Sequence, residues 1–319
     1  MNVKHAAMLG FMGRQFDRFH QYTPPKSLAE RLEMVKRVDG VSGIEIVYPN
    51  DFANPAETIR MVGEAGLRVA AVNLNVKGDD KWRYGSFTAT DPRIRADAVA
   101  DVKTCFDLAA EFGTDLVTCC PLIDGHNYSF EVDYQKQWEW LVEGMRAAVS
   151  YRPGMRLSLE YKPKEARNYV ILSDIGRTLY LCQQVGLPHL GVTVDIGHSL
   201  LAGESPAEAV CLAAQAGRLF YVHFNDNGRD WDWDMLPASV NLWDMLETLY
   251  YLDRLGWEGW FSYDVMTRAG DPVSTIQATI NIMRSGEKLY SRLGRTKLDE
   301  FVASGRPAEA FEYLVGSLA

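Results

Sequence analysis

Nowhere among the 319 residues is there an unbroken apolar stretch of the roughly 18 residues that a bilayer crossing needs, which excludes a membrane-spanning helix. The start, Met1-Asn2-Val3-Lys4-His5, lacks a basic segment followed by an apolar core and a small-residue cleavage site, so secretion is not expected. Cysteine is scarce. Five residues, an odd number without framework spacing, point to reduced thiols and a cytoplasmic setting. Basic residues are in deficit, 33 against 42 acids, for a net charge of −9. Nucleic acid and anionic membrane are both polyanions, so neither is an expected partner. No Pro/Ser-rich linker or low-complexity run divides the chain. A glycine-rich phosphate cradle is also missing: Gly10-Phe11-Met12-Gly13 matches the dinucleotide fingerprint poorly, and Arg14 and Arg18 are thin ground for an anion site.

What is present is an ordinary globular composition, 47% hydrophobic and 24% charged, and a repeating unit. The unit is a capped helix, a glycine and a short apolar strand. Ser27-Leu28-Ala29-Glu30 is a capping box, and Asn54-Pro55, Asp91-Pro92, Ser205-Pro206 and Asp271-Pro272 start helices with a capping side chain and proline. Gly66, Gly113, Gly186, Gly217 and Gly256 each close a periodic segment. Strand-like runs follow at 68–73, 115–120, 190–196, 218–224 and 259–265, with three more at 4–9, 43–48 and 155–161. Eight strands alternating with helices predict a single (β/α)8 TIM barrel, an α/β fold with a parallel sheet, over residues 1–285. Residues 286–319 are expected to form a C-terminal helical tail, apolar at Leu298, Phe301, Val302, Phe311 and Leu314, that packs on the barrel or on a second subunit.

In a parallel barrel, function sits at the C-terminal ends of the strands. There strands five to eight end in Glu160, Asp195, His223 and Asp264. Polar strand ends are common, but three carboxylates and an imidazole on one rim repel unless a cation neutralises them. Mostly oxygen donors with one nitrogen suit Mg, Mn or Co. His198 lies three residues beyond Asp195. Past strand seven, Asp230-Trp231-Asp232-Trp233-Asp234 alternates with period two, which would put the three acids on one side. That stretch reads either as a solvated acidic loop with two packed tryptophans or as a second cation site bridged by Asp195, with Asp232 and Asp234 preferred over Asp230.

The chain resembles the xylose isomerase-like TIM-barrel superfamily of sugar isomerases and epimerases, best between Leu157 and Val265. The motifs are Glu160-Tyr161-Lys162-Pro163, Asp195-Ile196-Gly197-His198, Asp232-Trp233-Asp234 and Asp264, and His223-Phe224-Asn225 is closer to the rhamnose isomerase branch than to xylose isomerase proper. The resemblance implies two divalent cations (Mn, Mg or Co). Glu160, Asp195, His223 and Asp264 would hold the first, and Asp195, His198, Asp232 and Asp234 the second. It implies an aldose–ketose isomerase in which Glu160, Asp264 and Lys162 are catalytic, with Lys162 and the second cation polarising the carbonyl as a hydride moves between C2 and C1.

The tagatose 3-epimerase branch also resembles the chain at Glu160, Asp195, His198, His223 and Arg229. That branch transfers a proton between glutamates of strands five and eight, and here strand eight offers the shorter Asp264. Apurinic endonucleases of the same barrel need three zinc ions and histidines on early strands, and no histidine here ends strand two or three. A non-catalytic sugar-binding barrel sits badly with a full ligand set. Trp82, Tyr84 and Phe87 after strand three, Phe11 and Phe16 after strand one, His126 after strand four and Arg229 are the candidate substrate wall, against loop packing for each aromatic. A free monosaccharide is expected rather than a sugar phosphate, with xylose, rhamnose, lyxose and apiose all open, handled by a homodimer or homotetramer.

Overall fold

The computed structural model describes residues 3–318. Eight parallel strands close into a barrel. They are β1 (Lys4–Met8), β2 (Val41–Tyr48), β3 (Arg68–Leu74), β4 (Leu116–Cys119), β5 (Arg156–Glu160), β6 (Leu190–Asp195), β7 (Leu219–Phe224) and β8 (Trp260–Tyr263). Pairing runs in sequence order and β8 closes on β1, so the TIM barrel expected from the repeat is the fold.

The helices begin where local chemistry says they should. Ser27 and Glu30 form a reciprocal capping box at α1 (Leu28–Lys36), so two orphan donors are satisfied. Asn54, Asp91, Ser205 and Asp271 accept first-turn amides of α2 (Pro55–Ala65), α3 (Pro92–Glu111), α7 (Pro206–Gln215) and α9 (Pro272–Leu293). α4 (Tyr134–Val149), α5 (Ile175–Val185) and α8 (Leu242–Arg254) complete the outer ring. A short buried helix, α6 (Ile196–Leu201), leaves β6 directly. Gly66 and Gly186 end α2 and α5 in the left-handed region, where a side chain would be strained.

One apolar core fills the space between barrel and helices, anchored by Phe106, Leu181, Val210, Leu249 and Ile280. The lumen differs. Glu45 of β2 reaches residues of β3, β4, β7 and β8, which only the inside of the barrel permits. Ser158 and Thr193 hydrogen-bond there at 2.7 Å. A polar layer thus floors the mouth.

Beyond the barrel, α9 continues past the expected boundary at 285 to Leu293, and α10 (Arg295–Ser304) and α11 (Pro307–Gly316) fold back. Tyr313 donates to the carbonyl of Leu293 at 2.8 Å, Tyr250 of α8 to Asp299 at 2.7 Å, and Phe311 meets Trp243 edge-on. The five cysteines are free thiols, and among the described residues no helix is long and apolar enough to cross a membrane.

Candidate metal centre and active site

The strand ends converge on one rim of the barrel. Register sets Asp195 beside His223, and Thr193 beside Glu160. His223 Nδ1 lies 3.3 Å from Glu160 Oε1 and 3.7 Å from Asp195 Oδ2. One ligand atom from each of Glu160, Asp195, His223 and Asp264 lies within 4.8 Å of the others. Asp264 Oδ1 is buried without a hydrogen-bond partner.

Asp195 is held from two sides. It caps α6 by accepting the His198 amide at 2.8 Å, and Asn225 donates to both of its oxygens at 3.1 and 2.9 Å. Asn225 Oδ1 accepts the Gly197 amide at 2.6 Å, and a Cβ at Gly197 would collide with that side chain. The spacing Asp195-Ile196-Gly197-His198 is therefore a packing requirement as well as a ligand pattern.

The second set assembles differently. His198 Nε2 lies 3.1 Å from Asp232 Oδ2, and Lys162 Nζ lies 2.6 Å from the same oxygen. Lys162 also pairs with Glu165. His198 Nδ1 stays 3.8 Å from Asp195 Oδ1. A lysine ammonium, rather than four converging ligands, neutralises Asp232. The loop that carries Asp232 and Asp234 is fastened at its base by buried Asp226, which accepts from Val240 N (2.8 Å), Asn241 N (3.0 Å) and Asn241 Nδ2 (2.6 Å). Arg229 and Asp234 adopt positive φ, so the loop is not a strand and period two fails. Asp230 turns outward, accepting from Trp231 N and Trp233 Nε1, while Asp232 and Asp234 turn in.

Electrostatics follow from this crowding. Burial would lower the His223 pKa, but Glu45 and Glu160 raise it well above the ordinary value, and Asp195 and Asp232 do the same for His198. Burial pushes Asp264 and Asp234 well up, with neighbouring carboxylates adding to it. Burial opposes the ionised Glu160, yet His223 and His198 hold it well below the usual range. Burial alone would lower the Lys162 pKa; Asp232 and Glu165 more than reverse that, so the ammonium stays charged.

The residues of the expected substrate wall stand in different settings. Trp82 and Phe87 are fully buried core residues, and loop 86–88 is held by Asp124, which accepts the amides of Ser86, Phe87 and Thr88. Tyr84 is 82% exposed. His126 stacks between Tyr134 and Tyr169, each centroid 4.9 Å away. Arg229 is tied to Asp244 at 2.7 Å. Phe16 lies in an exposed hairpin, Gln15–Phe16 with Gln21–Thr23.

Sequence reading passed over Glu45 and Glu165, and named Asn225 only as part of the His223-Phe224-Asn225 motif. Cys120 groups with Glu160 and His198 within 4.8 Å. Glu45 did leave a signal: a lone carboxylate between Ile44 and Ile46 in an apolar strand. A separate cavity of about 450 Å³ at the opposite end of the barrel, lined by Arg156, Phe220 and Trp260, carries no such chemistry.

The sequence profile of the family described as Xylose isomerase-like TIM barrel matches residues 32–286. A xylose isomerase of Thermus thermophilus is 29% identical over 206 residues, 63% of this chain and 53% of the relative. The chain thus spans about half the length of the curated relatives it matches. Among solved structures, a D-tagatose 3-epimerase-like protein superposes with a TM-score of 0.70 at 17% identity, covering 90% of this chain and 98% of the other. An L-ribulose 3-epimerase gives 0.69 at 16% identity, with 92% and 96% covered. These two likenesses show the fold.

Proposed function

The chain belongs to the xylose isomerase-like TIM-barrel family, and from that premise we propose that it is a metal-dependent aldose–ketose isomerase acting on a free monosaccharide by a 1,2-hydride shift. One observation carries the reading: a buried ammonium, Lys162, stands at the wall of a carboxylate–imidazole cluster whose Asp264 and Asp232 each keep an oxygen without a partner. Three acids and one imidazole within 4.8 Å fit a hard divalent cation such as Mn, Mg or Co. When bound, that cation polarises vicinal sugar oxygens as a Lewis acid.

The protein's own groups do the rest. Glu160, Asp195, His223 and Asp264 would hold the cation. Lys162 stays protonated between Asp232 and Glu165 and donates to the carbonyl oxygen as negative charge grows there. The second set, Asp195, His198, Asp232 and Asp234, would hold a further cation only with the Lys162 ammonium displaced from Asp232. The half-exposed apolar residues Val302, Phe311 and Val315 of the tail support assembly as a homodimer or homotetramer.

The competing reading is a ketose 3-epimerase, with proton transfer between Glu160 and Asp264. One observation favours it: Lys162 already neutralises Asp232, and proton transfer needs only the first cation. Turnover of free aldoses and ketoses in deuterated water separates the two. Product with little deuterium at the transferred carbon is the expected outcome; full incorporation identifies proton transfer and rejects the hydride shift.

A further inference from the structure

We propose that Glu45 is a positioning residue of the metal centre, which takes the Nε2–H of His223 and thereby aims Nδ1 at Glu160 and Asp195. The inference rests on the metal-centre reading above and extends it one layer into the barrel.

Glu45 is fully buried in the lumen, reached from four other strands. Its Oε1 accepts from Asn73 Nδ2 at 3.0 Å and Thr118 Oγ1 at 2.7 Å. Its Oε2 accepts from Ser262 Oγ at 3.1 Å and lies 3.0 Å from His223 Nε2. A carboxylate offers about four acceptor positions, and here all are taken, so the group cannot turn. An ionised carboxylate can only accept, so the facing nitrogen must be the donor. A cation held by the acids would require the neutral imidazole, which has one N–H and so keeps the Nδ1 lone pair for that cation, toward the acids 3.3 and 3.7 Å away. Tyr221 stands edge-on to the ring at 5.2 Å and fills the space on its flank. A buried carboxylate is a costly filler, since an apolar side chain of similar volume would pack the lumen without a desolvation penalty. A ligand histidine gains from such a partner, because the hydrogen bond fixes its tautomer and raises its basicity.

The test is a Mn2+ titration of the whole chain, read by the EPR signal of free Mn2+, on the wild type, Glu45→Gln and Thr118→Val. It is paired with the nitrogen–proton NMR spectrum of the histidine rings in the Mg2+-loaded wild type. Glu45→Gln should weaken Mn2+ by about 10–100-fold. Thr118→Val, which removes one donor to Glu45 and touches no ligand, should weaken it less. In the wild type, His223 should carry a slowly exchanging proton on Nε2 and none on Nδ1. This last measurement decides the matter even if a variant fails to fold. Equal affinities in all three proteins, or a proton on Nδ1, overturn the role of Glu45. A wild type that takes up no Mn2+ overturns the metal-centre reading itself, and this inference with it.

Discussion

The Nζ atom of Lys162 lies 2.6 Å from Oδ2 of Asp232, and the two side chains are only 6% and 7% exposed. The same oxygen lies 3.1 Å from His198 Nε2. A buried ammonium persists only where carboxylates compensate its lost hydration, and Asp232 and Glu165 do so. A second cation at Asp232 would therefore have to displace Lys162.

The ion pair of Lys162 with Asp232 sets an expectation for the metal stoichiometry. The resting wild type should hold one Mn2+ tightly, and Lys162→Met should raise the count to two by freeing Asp232. Elemental analysis after gel filtration measures it. Two tightly held ions in the resting wild type would contradict that expectation. Aldose–ketose turnover of Lys162→Met should fall by about 10²-fold or more, as on loss of a donor to a developing oxyanion.

Chelation should abolish turnover, with Mn2+ or Co2+ restoring it. A ligand at one hundred times its dissociation constant stabilises a fold by about 2.7 kcal/mol. Thermal unfolding with and without Mn2+ should therefore differ by several degrees. Activity indifferent to chelator would exclude metal dependence.

Without metal, stability should fall as pH rises. Burial disfavours charge on His198 and His223, but surrounding carboxylates raise both well above the usual histidine range. A raised folded pKa means the stabilisation is complete below the unfolded value, about 6.5, and is lost as pH climbs through the folded one. Asp234 and Asp264, pushed up by burial, act in the same direction. Glu160 and Asp232 are held low by these imidazoles despite burial, and their contribution is lost only in acid, below about pH 4. The chelated protein should melt lower at about pH 9 than at about pH 6.5, and saturating Mn2+ should flatten the profile. A flat profile in chelator would contradict the assigned pairings.

Asp226→Ala should loosen the loop that presents Asp232 and Asp234. It leaves the part-buried donors Val240 N, Asn241 N and Asn241 Nδ2 without their acceptor, at no more than about 1–3 kcal/mol for each unsatisfied group. Turnover should drop while the affinity for the first Mn2+ holds. An equal loss in both would mean that the loop supports the whole centre.

Phe87→Ala should cost about 3–5 kcal/mol of stability, as expected of a fully buried aromatic. Tyr84→Ala, at an 82% exposed position, should change stability by less than about 0.5 kcal/mol. Denaturant melts compare the two, and a small effect for Phe87→Ala would return it to the substrate wall.

The capping box, the proline starts and the glycine stops were legible because each is satisfied within one turn of its own helix. Glu160, Asp195, His223 and Asp264 were legible because a parallel barrel presents every strand end to one rim. The burial of Phe87 was not, since the loop that carries it is held by Asp124, which arrives from the loop after β4. Asp230 defied the alternation because positive φ at Arg229 and Asp234 breaks the extended backbone that period two assumes.

Sequence alone determined the repeat, the eight strands and the residue types at the mouth, since these follow from short-range hydrogen bonding and from alternating burial along a strand. Tertiary structure decided the pairings. Glu45 meets His223 across 178 residues, and Lys162 meets Asp232 from another loop. Barrel closure makes these neighbours, and no local pattern encodes which buried charge faces which.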